Sequence, residues 1–162
     1  EESLVVRVHP ELLEKQKLPP ELITRRIWKE RFHDIRAFER YLARNGFIVR
    51  KFFLHVSRKE QKRRFLERIE KPNKNWKFAA SDVTERGHWR EYMAAYEDMI
   101  RATATKAAPW FVVPADNKWF TRLVVAAAVV EALASLNLAY PKVGPDKLKE
   151  LAAARRTLLG GK

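Results

Sequence analysis

FIVRKFFLHVS, residues 47–57, decides the fold class. Asn45-Gly46 ends whatever precedes it, and the next ten residues are rich in β-branched and aromatic side chains. Ser57 then stands where a helix N-cap belongs. A strand over Phe47 to Val56 that feeds straight into a helix is the opening of a β-α unit. Working upstream, Pro19-Pro20 leads an amphipathic segment from Glu21 to Arg44. Its apolar residues Ile23, Ile27, Ile35, Phe38, Tyr41 and Leu42 recur at helical spacing.

Downstream, the charged helix begun at Ser57 runs to about Glu70, and Pro72-Asn73 breaks it. Ser81-Asp82 reads as a second cap, opening a helix to about Ala104 with Trp89, Met93, Tyr96 and Ile100 on one face. Trp110 to Val113, held between Pro109 and Pro114, reads as a short buried strand. Asn117 to Leu136 is apolar almost all round in its middle, which predicts a buried helix. A last helix covers about Asp146 to Leu159. This order predicts an α/β layer fold with parallel strands, and two strands alone do not stabilise such a sheet. Leu4 to His9, stopped by Pro10, leans toward a strand by propensity, although six residues do not decide it.

Composition bounds the function. The 162 residues suit one domain with a real core, and 46% hydrophobic against 33% charged is a globular balance. With no cysteine, disulfide frameworks, thiolate metal sites and cysteine nucleophiles are excluded. The longest apolar run, Leu123 to Val130, is well short of the roughly 20 residues a membrane span needs. No secretory leader opens the chain, so the expectation is a cytoplasmic protein without membrane association. A first residue other than Met makes a piece of a longer protein the expectation too. The 33 Lys and Arg against 20 Asp and Glu give +13, which calls for an anionic partner: nucleic acid, a phosphate-rich ligand or an acidic membrane.

That charge is concentrated. Arg50 to Lys77 holds eleven Lys and Arg against three acids, a surplus of eight. Arg64 and Arg68 lie one helical turn apart, so their guanidinium forks share a face and suit phosphate oxygens, with Lys77 adding a point charge. The alternative is a solvated face laced by Glu60/Arg64, Arg63/Glu67 and Glu67/Lys71 pairs. For the block as a whole, phosphate binding is favoured. Trp76 and Phe78 could stack on bases; the favoured reading packs both against the core. His9, His33, His55 and His88 show no metal-ligand spacing. Asp116-Asn117-Lys118 follows the second strand, where open α/β sheets gather ligands, yet Asp116 reads equally well as the N-cap of the next helix. No G-x-x-x-x-G-K-S/T motif occurs anywhere in the chain.

Several stretches carry a resemblance. LHVSRKEQKRRFLERIEKPNKNWKFAASDVTERGHW (Leu54 to Trp89), EYMAAYEDMIRAT (Glu91 to Thr103), APWFVVPADNKWFTRLVVAAAVVEAL (Ala108 to Leu133) and NLAYPKV (Asn137 to Val143) resemble polyphosphate kinase family 2, closest to its class III members. EESLVVRVHPELL is similar to the segment after that family's Walker B motif. Thr103 to Lys106 departs from the usual run.

The resemblance implies part of a three-layer P-loop kinase fold of the thymidylate-kinase-like type, helix-rich with parallel strands. Its N-terminal strands, P-loop and Walker B segment are expected before Glu1. The 162 residues would form a single domain, with a lid over about residues 57–90. The implied activity is phosphoryl transfer between inorganic polyphosphate and nucleotides such as ADP or AMP. The alternative is an inactive module that binds polyanions or nucleic acid.

By resemblance, Arg64, Arg68 and Lys77 hold the phosphate chain, and Arg7, Asp116, Lys118 and Arg122 lie on the nucleotide or phosphate side. Catalytic residues and the ligands of a magnesium ion are expected outside this chain. A homo-oligomer is implied, and nucleic acid is not expected as a partner. The resemblance also makes Glu1 to His9 helical, and that reading is preferred to the strand.

Overall fold

The computed structural model describes residues 3–160. Two strands, β1 (Lys51–His55) and β2 (Trp110–Pro114), pair in parallel, with Lys51 opposite Trp110 and His55 opposite Pro114. The helices, in chain order, are α1 (Val5–Val8), α2 (Leu12–Lys15), α3 (Ile27–Arg44), α4 (Arg58–Glu70), α5 (Ser81–Glu85), α6 (Trp89–Thr103), α7 (Lys118–Ala134) and α8 (Pro145–Gly160). The parallel α/β reading therefore holds. A parallel pair needs a crossover, and here α4, α5 and α6 supply it. No helix among the described residues is long and apolar enough to cross a membrane.

The chain divides into two compact units, Glu1–Val129 and Val130–Lys162. In the first, both α1 and α3 pack on α6, and Val6, Leu13 and Ile27 form a buried cluster flanked by Leu12, Leu18 and Trp28. Val113, the fourth residue of β2, is wholly buried, as is Ala108 before the strand. The second unit contains α8, none of whose described residues is buried.

Several boundaries differ from expectation, each for a local reason. β1 starts at Lys51 rather than Phe47, because the preceding residues close α3. Gly46, at φ 83°, donates to the Ala43 carbonyl at 3.2 Å, and Phe47 donates to that of Leu42 at 3.1 Å. This is a Schellman closure, which needs the left-handed conformation glycine supplies. α3 begins at Ile27 rather than Glu21. Pro20–Leu22 is a 3₁₀ turn, and the Thr24 hydroxyl then accepts from the Arg26 amide at 3.1 Å, a local bond that competes with helix. The helix expected over Ser81 to Ala104 is interrupted by a 3₁₀ turn at Arg86–His88. The N-terminal stretch is helical at Val5–Val8, as the resemblance implied; the expected helix at Glu1 and Glu2 lies outside the described residues.

The apolar helix reverses its expectation. Ala128 is the buried residue of α7, while Leu123, Val130 and Leu133 are each more than half exposed. Composition reports which surface a helix would bury; burial itself requires a neighbour packed against it.

Candidate functional site

The site is assembled where β1 hands over to α4. Ser57 caps α4, its hydroxyl accepting from the Glu60 amide at 3.1 Å. The Ser57 amide in turn donates to Asp116 Oδ1 at 2.7 Å. That bond holds the Asp116 carboxyl below its ordinary range. Asp116 thus ties the end of β2 to the start of α4, rather than capping α7. Arg64 reinforces the tie from the other side. Its Nε donates to Glu60 Oε1 at 2.8 Å, and one Nη donates to the carbonyls of Ala115 at 2.7 Å and Asp116 at 3.1 Å.

One turn further along α4, Arg68 lies with its guanidinium 5.8 Å from the centre of the Phe65 ring. Phe78 meets Phe65 edge-on at 6.0 Å, so the turn after α4 folds back along the helix. That turn carries Lys74 and Lys77. The Lys77 ammonium sits 4.9 Å over the Trp76 ring, and Trp76 is 78% exposed. Phe78 is partly buried as expected, whereas Trp76 stands in solvent. Three residues inside a 3₁₀ turn cannot all face one way, and the turn turns Trp76 outward.

These elements enclose a cavity of about 240 Å³ lined by Arg64, Glu67, Arg68, Lys74, Lys77 and Lys118. Five of the six are cations. The lone acid is already satisfied: Lys71 at 2.8 Å and Lys74 at 2.7 Å bond Glu67 Oε1 and bring its carboxyl down to about 2. All three ion pairs foreseen within α4 form, with Arg64 to Glu60 at 2.8 Å, Arg63 to Glu67 at 3.6 Å and Lys71 to Glu67 at 2.8 Å. Arg63 also bonds Glu60 and, with Arg64, holds that carboxyl at about 2. Lys51, counted in the same basic block, is turned inward onto Glu39 at 2.7 Å. Among the described residues no carboxylate pairs with Arg68, Lys77 or Lys118. These three are the charge left over for a ligand, and a chain of phosphates is a chemical match for closely set cations.

Of the expected site residues, the structure brings Arg64, Arg68, Lys77 and Lys118 to one cavity, with Asp116 at its base through the backbone bond to Arg64. Arg122 is exposed on α7 and lines no described cavity. Arg7 is elsewhere: it pairs with Asp98 at 2.7 Å and faces Trp28 and Phe32. Sequence reasoning missed Lys74 as a wall residue. It also missed a cluster around His9, whose Nε2 lies 2.9 Å from Glu85 Oε2, while Tyr92 donates to the same oxygen at 2.7 Å. The Glu85 hydrogen bond raises the His9 pKa; the bonds from Tyr92 and His9 lower that of Glu85. Nothing in the spacing of residues 9, 85 and 92 could have shown it. Among the described residues no three His, Asp or Glu converge to hold a metal ion, and Asp116 is committed to Ser57.

A parallel α/β sheet thus carries a polycationic cavity beside the carboxyl ends of its strands. The matching family model is Polyphosphate kinase 2, over residues 20–140, and the chain belongs to that family. It is 44% identical over 160 residues to the ADP-polyphosphate phosphotransferase of Rhodopseudomonas palustris, covering 98% of this chain and 55% of that protein. A protein in the chlN 3′ region of Leptolyngbya boryana is 52% identical over 132 residues, and the match covers 97% of it. The crystal structure of Polyphosphate Kinase 2 from Arthrobacter aurescens TC1 superposes with a TM-score of 0.80 at 34% identity, covering 96% of this chain and 51% of that one. The chain thus spans about half the length of the phosphotransferase and of the solved structure.

Proposed function

We propose that this chain is the phosphate-chain-holding portion of a polyphosphate-dependent nucleotide phosphotransferase, transferring phosphoryl groups between inorganic polyphosphate and ADP or AMP. The observation that carries the reading is the cavity of five cations and one satisfied acid beside the ends of both strands. Family membership and the names of the relatives support the reaction. In this reading residues 57–90 act as a lid on a P-loop kinase frame of the thymidylate-kinase type. Arg68, Lys77 and Lys118 neutralise successive phosphates of the chain. Arg64 and Asp116 act one step removed, holding α4 at a fixed distance from the end of β2 so that the cations meet the polyanion already positioned.

Transfer of a phosphoryl group needs little covalent help from protein; positioning and charge neutralisation supply most of the acceleration. Magnesium, which adds charge neutralisation at the transferred group, would be bound by ligands other than the described residues. A homo-oligomer belongs to the same reading, supported by the exposed apolar surface of α7.

The test is calorimetric titration of the chain with polyphosphate of defined length. Wild type should bind with a salt-dependent Kd, and Arg68→Ala/Lys77→Ala should lose about tenfold in affinity and about two from the salt slope. An unchanged Kd in the double variant would overturn the assignment. ATP formation from ADP, polyphosphate and magnesium is measured alongside; turnover by these 162 residues alone would place the phosphate cradle within them and overturn the division of labour. One observation favours a second reading, binding of single-stranded nucleic acid: exposed Trp76 beside Lys77 offers a stacking platform. Tighter binding of single-stranded RNA than of polyphosphate at equal charge, abolished by Trp76→Ala, would select it.

A further inference from the structure

A second basic cleft lies apart from the α4 cavity. It measures about 580 Å³ and is walled by Arg7, Arg25, Lys29, Arg36 and Arg101, with Asp98 the only acid; Trp28 and Phe32 form its apolar side. Its place in the fold is the reverse of the first. Arg36 donates to the Ala102 carbonyl, and the next carbonyl, that of Thr103, accepts from Lys51, the first residue of β1. The cleft therefore borders the end where the strands begin, while the α4 cavity borders the end where they finish.

Its charges are unequal. Asp98 is taken by Arg7 at 2.7 Å, and Arg101 is bonded to Glu97, outside the cleft, at 2.7 Å. Arg36 is engaged by the Ala102 carbonyl, but a carbonyl cancels no charge. Among the described residues no carboxylate pairs with Arg25, Lys29 or Arg36. Arg25 and Lys29 are also exposed. Arg25, two residues before α3, and Lys29, in its first turn, put two exposed like charges on the wall of the cleft, backed by Arg36 further along the helix, and an anion between them would relieve their repulsion. A surface that needed charge only for solubility would scatter it.

We propose that this cleft is a second phosphate-binding site, taking the oligophosphate of either a condensed phosphate chain or a nucleotide. Its argument is independent of the reading given to the α4 cavity, since the two share no residue. Arg25 and Lys29 would grip terminal phosphate oxygens, with Arg36 behind them. Trp28 and Phe32 give an aromatic wall that an attached base could lie against and a bare phosphate chain would not use.

The test is calorimetric titration with tripolyphosphate and with ATP, each without metal, against four forms of the chain: wild type, Arg68→Ala/Lys77→Ala, Arg25→Ala/Lys29→Ala and the form with all four substitutions. Circular dichroism checks that the variants remain folded, as both pairs are surface residues. The α4 double variant should keep one saturable tripolyphosphate site, and adding Arg25→Ala/Lys29→Ala should weaken that site by about tenfold or more. ATP binding there at least about tenfold tighter than tripolyphosphate supports the site with a nucleotide as its source; equal or weaker ATP binding supports it with the phosphate chain. The proposal is overturned if the α4 double variant binds neither probe, or if its residual binding is indifferent to Arg25→Ala/Lys29→Ala. Either overturning result leaves the α4 assignment standing, because that rests on the loss in Arg68→Ala/Lys77→Ala.

Discussion

Replacing Lys51 by Met isolates a nearly buried ion pair. The Lys51 ammonium lies 2.7 Å from Glu39 Oε1 and donates to the Thr103 carbonyl at 2.8 Å. It also sits 5.1 Å over the Trp110 ring. The two side chains are 13% and 10% exposed, so water cannot replace what is removed. Met keeps most of the stem packing and deletes only the charge. Glu39 is then left as a nearly buried carboxylate with no cation, a loss of about 3–5 kcal/mol for a broken buried pair. The forfeited ring contact, about 0.5–2 kcal/mol, is a part of that loss and not an addition to it. Against a total stability of about 5–15 kcal/mol this is a large fraction.

The assay is urea unfolding at pH 7, followed by tryptophan fluorescence, with the midpoint and slope compared to wild type. The companion variant Lys51→Met/Glu39→Leu should recover most of the loss, since an apolar pair of similar volume is often neutral in place of a buried ion pair. A loss below about 1 kcal/mol in Lys51→Met, or a double variant no better than the single one, would refute the reasoning.

Three further outcomes follow from the same geometry. Arg64→Ala should cost about 1–3 kcal/mol in unfolding free energy, because the carbonyls after β2 lose a charged donor, whereas Arg68→Ala should leave stability within about 0.5 kcal/mol and weaken polyphosphate binding instead; equal effects of both on stability would erase the distinction between a positioning and a binding arginine. Removing the cap of α4 by Ser57→Ala should cost about 1 kcal/mol, with Ser57→Gly recovering all but a few tenths, measured by thermal unfolding. An NMR titration should find His9 above its ordinary 6.5 and moved down in Glu85→Gln. The sign is fixed by linkage: the stability His9 gains is complete below its unfolded pKa and is lost as pH rises through the raised folded value. Glu85 adds stability above its unfolded value, lost as pH falls through the lowered folded one. The His9–Glu85 contact is therefore strongest between those limits, and a His9 titration insensitive to Glu85→Gln would show that the contact is not formed.

The chain's periodicity and punctuation determined its elements. KFFLH and WFVVP are strands, Ser57 is a cap and Pro72-Asn73 is a stop, because each depends on interactions within a few residues. The crowding of cations into Arg50 to Lys77 likewise raised the expectation of an anionic partner from composition alone. Tertiary structure decided what the cations are for. Lys51 goes inward to Glu39, Arg64 spends its fork on two carbonyls about fifty positions away in sequence, and Lys118 arrives at the cavity from the far side of β2. Glu39 shares a helical face with Ile35 and Phe32 and so could have been suspected, but its partner could not. The same limit governs α7: its apolar character is written in local sequence, while its exposure depends on which surfaces approach it. Local propensities act over one or two turns, whereas charge pairing and burial are set by distances in space, and only the fold supplies those.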